Sequence, residues 1–199
     1  MKIASIIILT GISLCASICC PGEDDYLYSN TNVRNDTVIQ IENNTIDFQV
    51  NDTIYISTML NNEQVSVNNN TVLLTDYILL NSQENFYFYN LNLYKETAYD
   101  TYALIELNEN ALIVLEGITT VDYQSLFVRC NLDNTIFRNK FGIKLLEPGK
   151  YYLSGSHNYY NEGEELVHIS TNSYNNDHIS ISSKIMASDT TGRYYFTVN

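Results

Sequence analysis

The stretch FYFYNLNLY, residues Phe86–Tyr94, places large apolar side chains at every second position: Tyr87, Tyr89, Leu91 and Leu93. Successive side chains of a β-strand point to opposite faces, so this period of two indicates a strand with one buried face. The same period recurs in Ile179–Ile185 and in Tyr194–Val198. The alternation therefore predicts a fold built from half-buried strands.

Short β-prone runs separated by Asn- and Asp-rich turns extend this pattern along the chain. The other candidate strands are Thr37–Ile41, Ile46–Val50, Thr53–Leu60, Val65–Val67, Thr71–Leu80, Tyr99–Leu107, Leu112–Leu115, Leu126–Cys130, Tyr151–Ser154 and Leu166–Thr171. Only Asp122–Leu126 and Asn131–Asn139 are candidates for short helices. Many short strands with turn residues between them predict an all-β antiparallel β-sandwich, immunoglobulin-like or jelly-roll-like.

The N-terminus has the pattern of a secretory signal peptide. Lys2 provides a positive start, and Ile3–Leu14 is an apolar run interrupted only by small or hydroxyl residues. This run is shorter than the roughly 20 apolar residues that a membrane-spanning helix needs. We therefore expect residues 1–19 to be a cleaved signal peptide.

The segment after the apolar run, Ser17-Ile18-Cys19-Cys20, resembles the lipobox of bacterial lipoproteins. The resemblance implies that Cys20, or as second choice Cys19, is acylated after cleavage. Such lipoproteins carry a membrane anchor of several acyl chains, which holds a protein stably where a single chain binds marginally. The acidic Glu23–Asp25 is similar to the export signal of Bacteroidetes lipoproteins. It implies a location in the outer membrane, with the inner or the cell-surface face left open.

The mature chain divides into a linker and a folded part. Residues 20–36 lack periodicity and are predicted to be an acidic flexible tether, and residues 37–199 a single β-sandwich domain. Two smaller units meeting near Glu116–Asp122 are the alternative. Two short windows, Asn51–Ile56 and Glu147–Tyr152, resemble strand entries of immunoglobulin-like bacterial domains.

Charge and motif content exclude several classes of function. With 10 basic and 23 acidic residues the net charge is -13, which argues against nucleic-acid binding because phosphates require clustered cations. The sequence has no phosphate-binding glycine loop, nucleophile elbow or metal-binding histidine pair. We therefore expect no enzymatic activity, no cofactor and no metal. Once the signal is removed and Cys20 is acylated, Cys130 is the one remaining thiol, expected to behave as a small buried apolar residue.

Tyrosine is the compositional feature that points to binding, with 17 residues in the chain. In a doublet such as Tyr151-Tyr152 or Tyr194-Tyr195, alternation directs one ring to the core and the other to solvent. The loop 154–165, with His157, Tyr159 and Tyr160, is the predicted binding surface. We expect a non-enzymatic, lipid-anchored envelope protein that binds or scaffolds a glycan or an envelope protein. A glycan-binding accessory lipoprotein and an envelope hydrolase are the alternatives.

Overall fold

The computed structural model describes residues 29–78, 85–155, 163–172 and 177–199. Its strands are β1 (Ser29–Arg34), β2 (Ile39–Ile41), β3 (Asp47–Phe48), β4 (Thr53–Asn61), β5 (Glu63–Val65), β6 (Thr71–Leu73), β7 (Phe86–Glu96), β8 (Tyr102–Leu104), β9 (Leu112–Glu116), β10 (Ile118–Asp122), β11 (Ser125–Asp133), β12 (Ile136–Lys144), β13 (Gly149–Ser154), β14 (Val167–Ile169), β15 (Asp177–Ser183) and β16 (Tyr194–Val198). Single 3-10 turns occur at Glu42–Asn44, Leu74–Tyr77 and Glu109–Ala111.

The strands form an all-β sandwich, as the alternating pattern predicted. A curled main sheet has the order β2-β4-β12-β11-β7-β13-β16-β3, with β8, β9 and β10 attached to its members. A small sheet has the order β1-β15-β14, and β5 and β6 form a hairpin. Most neighbours are antiparallel, but β1 pairs with β15 and β16 pairs with β3 in parallel.

One hydrophobic core joins the inner faces of the two sheets. Each of five strands contributes a buried side chain to the same cluster: Val33, Ile56, Tyr89, Phe141 and Ile181. The alternation of β4 is regular, with every second residue buried from Ile54 to Leu60. Burial of such faces is the main stabilising contribution to a sandwich of this kind.

The main sheet divides where β9 and β10 enter between β11 and β12. Near their shared turn β11 and β12 pair directly, whereas farther along β10 pairs with β11 and β9 with β12. Gly117, with φ +75, links β9 to β10 at this fork. A Cβ at Gly117 would lie 2.5 Å from the Asn139 amide nitrogen and 2.7 Å from the Arg129 carbonyl oxygen. Glycine is therefore required for both backbone conformation and space.

The strands correct two sequence-based expectations and bear on one alternative. Residues 29–34, assigned to the tether, form β1, because β15 supplies a parallel partner that is far away in sequence. The two helical candidates instead lie on the hairpins β10–β11 and β11–β12. The stretch 116–122, considered as a junction between two units, contains β10 within the main sheet.

Candidate functional site

Tyrosines form a row across the outer face of the main sheet. In the strand register Tyr152 of β13 lies opposite Tyr94 of β7 on one side and Tyr195 of β16 on the other. Tyr102 of β8 packs against this row. We call these four residues the tyrosine face. It lies on the opposite side of the sheet from the core, because the neighbouring residues Tyr151 and Tyr194 belong to the core cluster.

The two doublets obey alternation but differ in exposure. In Tyr194-Tyr195 the first ring is buried and the second is 40% exposed, as predicted. In Tyr151-Tyr152 the two rings also take opposite faces, yet both are only 4% exposed. The prediction of an exposed ring is therefore wrong for Tyr152. Its neighbours on the outer face shield it from solvent, and the alternation of the sequence does not predict this shielding.

The tyrosine face is tightly packed. Tyr94 and Tyr152 stack with ring centroids 4.5 Å apart and planes 15° from parallel. Tyr102 and Tyr195 lie 5.0 and 5.4 Å from the same Tyr152 ring, and 5.9 Å from each other. These spacings fall within the favourable range for aromatic pairs. Tyr152 thus forms the floor of the face, and Tyr195 contributes the most exposed ring.

Arg193 and Glu165 close the face at one end. The Arg193 guanidinium lies 5.1 Å from the Tyr152 ring centroid and donates from Nε to Glu165 Oε1 at 3.0 Å. Its Nη2 donates to the same oxygen. The hydrogen bonds to Glu165 raise the pKa of Arg193, and burial raises the pKa of Tyr152, with a further contribution from the Glu165 charge. Glu165 Oε2 is buried without a hydrogen-bond partner.

A second, polar row runs beside the tyrosine face. Lys150 lies opposite Thr197, Thr197 lies opposite Asp47, and Glu96 lies opposite Tyr102. Lys150 Nζ and Glu96 Oε2 form an ion pair at 3.1 Å, which raises the pKa of Lys150. The row therefore offers an ammonium, carboxylates and a hydroxyl next to aromatic rings.

A cleft of about 200 Å³ joins the two rows. It is lined by Asp47, Tyr102, Lys150, Tyr195 and Thr197 of the outer face, by Ile46 before β3, and by the core residues Tyr151 and Phe196. The exposed Tyr195 ring forms one wall, and Ile46, which is also largely exposed, adds apolar surface. This arrangement can hold a ligand that presents both a flat apolar face and hydroxyl groups.

A wider groove of about 740 Å³ lies elsewhere on the surface, between residues near Arg34 and the β11–β12 turn. Its amides are engaged with one another, since Asn35 donates to Gln64 and Gln64 donates to the Asn61 carbonyl. Asn62 is likewise bonded to Thr75. No aromatic side chain among the described residues lines this groove, so it offers a bound sugar no stacking ring there.

Cys130 and His168 occupy positions in strands rather than in a cleft. Cys130 is fully buried, as expected of a structural thiol, and burial raises its pKa. A raised pKa disfavours the thiolate that nucleophilic chemistry requires. Burial also lowers the pKa of His168, with a smaller contribution from Arg34.

Several predicted site residues lie outside the described residues. These are the acylation candidates Cys19 and Cys20 and the loop residues His157, Tyr159 and Tyr160. Glu165 belongs to the same predicted loop and is described, and its carboxylate lies at the end of the tyrosine face. The assignment of loop 154–165 as the binding surface therefore stays a prediction. Sequence reasoning did not place Tyr94, Tyr102 and Tyr195 in one site, because only the strand register and the ring packing bring them together.

Comparison with known proteins gives no relative: no family model matches the chain, and no curated protein matches its sequence. Within the described ranges, no cluster of three or more His, Cys, Asp or Glu side chains could hold a metal ion. The same residues include no helix long and apolar enough to cross a membrane.

Proposed function

We propose that this chain is a non-enzymatic, lipid-anchored envelope protein that binds carbohydrate through the tyrosine face. The observation that carries the proposal is the cleft in which Tyr102 and Tyr195 stand beside Asp47, Lys150 and Thr197. Sugars present C–H faces that pack on aromatic rings and hydroxyls that exchange hydrogen bonds with charged side chains. Both kinds of group occur here on adjacent rows of one sheet.

The packing of the tyrosine face favours binding without large rearrangement. Tyr195 rests on Tyr152, which is itself held between Tyr94 and the Arg193 guanidinium. Tyrosine offers a large amphipathic surface with few rotatable bonds, so little side-chain entropy is lost on binding. Rings fixed on strands are also positioned more accurately than rings on loops.

The overall charge favours an uncharged glycan as the ligand. A net charge of -13 repels anionic polymers at long range. In the cleft, Lys150 is paired with Glu96, whose side chain is only 23% exposed, so this carboxylate is held on Lys150 and competes with a sulfate or uronate. We therefore expect neutral sugars to bind more strongly than sulfated or uronic ones.

Replacing Tyr195 by alanine should weaken binding of a neutral glycan by at least about tenfold, the scale expected for loss of a central aromatic contact. The glycan is first identified on an array with the full chain, and affinities are then measured by titration. Tyr123→Ala is the matched control, because Tyr123 is almost fully exposed on the β10–β11 turn. Tyr195→Phe should keep most of the affinity, since the ring remains.

Four results would contradict this assignment. Unchanged affinity in Tyr195→Ala would remove the tyrosine face from binding. Loss of binding in Tyr159→Ala or Tyr160→Ala with Tyr195→Ala unaffected would favour the loop predicted from sequence. Recovery of cleaved glycan after incubation would favour the hydrolase alternative, and a protein captured in place of any glycan would favour scaffolding.

Replacing Cys20 by alanine should abolish incorporation of labelled palmitate, because the acceptor thiol is then absent. Cys19→Ala is the control and should retain the label. Labelling that persists in Cys20→Ala and disappears in Cys19→Ala would move the acylation site to Cys19. Protease treatment of intact cells then distinguishes the cell-surface face of the outer membrane from its periplasmic face.

A further inference from the structure

A cavity of about 280 Å³ opens at one end of the sandwich, on the inner side of the main sheet. Its apolar lining comes from Leu93, Ile105, Leu107, Ala111, Ile143 and Leu145. Leu93, Ile143 and Leu145 also belong to the hydrophobic core, and Ile105 and Leu107 pack against it. The cavity is thus an opening into the core between the segments 105–111 and 143–147.

Lys95 stands at the mouth of this cavity. It shares the inward-facing side of β7 with Leu91 and Leu93, which is an unusual position for a charged residue. Its ammonium lies 5.4 Å from the ring centroid of Tyr151, another lining residue, and 2.5 Å from Glu147 Oε2. The Lys95 side chain is 25% exposed, whereas that of Glu147 is 72% exposed. The charge closest to the apolar interior is therefore positive.

We propose that this cavity binds a small amphiphile with a compact apolar body and one anionic head, such as a medium-chain carboxylate. The body occupies the apolar lining, and the head group takes the place of the exposed Glu147 carboxylate on Lys95. Apolar cavities of about 150 Å³ hold benzene, so 280 Å³ accommodates a group of roughly ten carbons. This site is separate from the tyrosine face, because Tyr151 and Tyr152 point to opposite faces of β13.

The Lys95–Glu147 ion pair at the mouth of the cavity allows an incoming carboxylate to replace the Glu147 carboxylate on Lys95. Glu147 is on an exposed segment, and the Tyr151 hydroxyl donates to its backbone carbonyl at 2.8 Å, which anchors the main chain but not the carboxylate. The pKa of Glu147 is lowered by its hydrogen bond to Lys95. Lys95 keeps a raised pKa because its contacts with Glu147 and Tyr151 outweigh the opposing effect of burial. The ammonium is therefore charged at neutral pH and ready to bind an incoming carboxylate.

The test is titration of the full chain with decanoate and with 1-decanol, which share the apolar body and differ in the head group. The parent chain should bind decanoate more tightly than 1-decanol. Lys95→Met should lose about tenfold of the decanoate affinity and keep its affinity for 1-decanol. Lys140→Met is the matched control, since Lys140 is also paired with a glutamate, Glu42, but lines neither this cavity nor the cleft beside the tyrosine face, and it should behave like the parent.

A second variant tests the cavity itself. Ala111 is buried in the lining, so Ala111→Phe should fill the space and abolish binding of both ligands, with thermal unfolding confirming that the variant is folded. Amide chemical shifts should move at residues 105–111 and 143–147. Equal decanoate affinity in parent and Lys95→Met, binding that survives in folded Ala111→Phe, or shifts confined to other surfaces would each overturn the proposal.

Discussion

Replacing Asn139 by leucine should lower the free energy of unfolding by about 3 kcal/mol. Asn139 is 1% exposed at the fork of the main sheet. Its amide nitrogen donates to the carbonyl oxygens of Ile118 at 3.0 Å and Arg129 at 2.8 Å, and its side-chain oxygen accepts from Thr119 Oγ1 at 3.2 Å. Leucine has a similar shape but removes all three bonds. Each buried polar group deprived of a partner costs about 1–3 kcal/mol.

The measurement is urea unfolding of both proteins, supported by thermal unfolding. A loss of 3 kcal/mol corresponds to a fall in Tm of roughly 6–12 °C for a domain of this size. Asn131→Leu is the matched control. Asn131 is exposed on β11, and its side-chain oxygen accepts a hydrogen bond from Arg129 at the surface of the same strand. Equal stability of the two variants would show that the fork does not depend on the Asn139 amide.

Asn139 also explains why the sequence did not reveal β12. The inward positions of β12 are Phe137, Asn139, Phe141 and Ile143. A polar residue at the second of these interrupts the apolar period of two, so the segment before it resembled a short polar helix. Asn139 thus bonds to the strands on both sides of the fork and also interrupts the sequence pattern by which β12 would have been predicted. Where apolar side chains kept the period of two, as in β7, β15 and β16, the sequence predicted a strand at that position.

β1 shows a different limit of sequence reasoning. Among its side chains with a described exposure, those of residues 30–34, Val33 alone is buried, and the Arg34 side chain at its end is 35% exposed and paired with Asp36. The strand exists because β15, more than a hundred residues later, offers a parallel edge. A local pattern cannot report such a partner. The polar composition of residues 29–34 therefore fits a tether and an edge strand equally well, and only the pairing with β15 identifies them as a strand.

The tyrosine face could be predicted in part. Alternation alone assigns Tyr152 and Tyr195 to one side of their strands and Tyr151 and Tyr194 to the other. It does not give the register that places Tyr94 opposite Tyr152, nor the packing of Tyr102 over the row. The position of Arg193 above Tyr152 likewise depends on Glu165, which is distant in sequence. Composition identified the residue type, and only the fold identified the site.

Replacing Arg193 by methionine should lower the free energy of unfolding by about 3 kcal/mol and loosen the tyrosine face. The Glu165 side chain is 5% exposed, and both hydrogen bonds that it accepts come from Arg193 to Oε1. Its other oxygen is already buried without a partner. Removing one partner of a buried ion pair costs about 3–5 kcal/mol, and the lower value applies because Arg193 itself is 34% exposed.

The double variant Arg193→Met with Glu165→Leu separates loss of the ion pair from loss of packing. An apolar pair of similar volume leaves no buried charge, so the double variant should lie within about 1 kcal/mol of the parent although Arg193→Met alone does not. Near-ultraviolet circular dichroism reports the order of the stacked rings around Tyr152. If the double variant is as unstable as Arg193→Met alone, the contact of Arg193 with Tyr152, and not its pairing with Glu165, is what stabilises this end of the face.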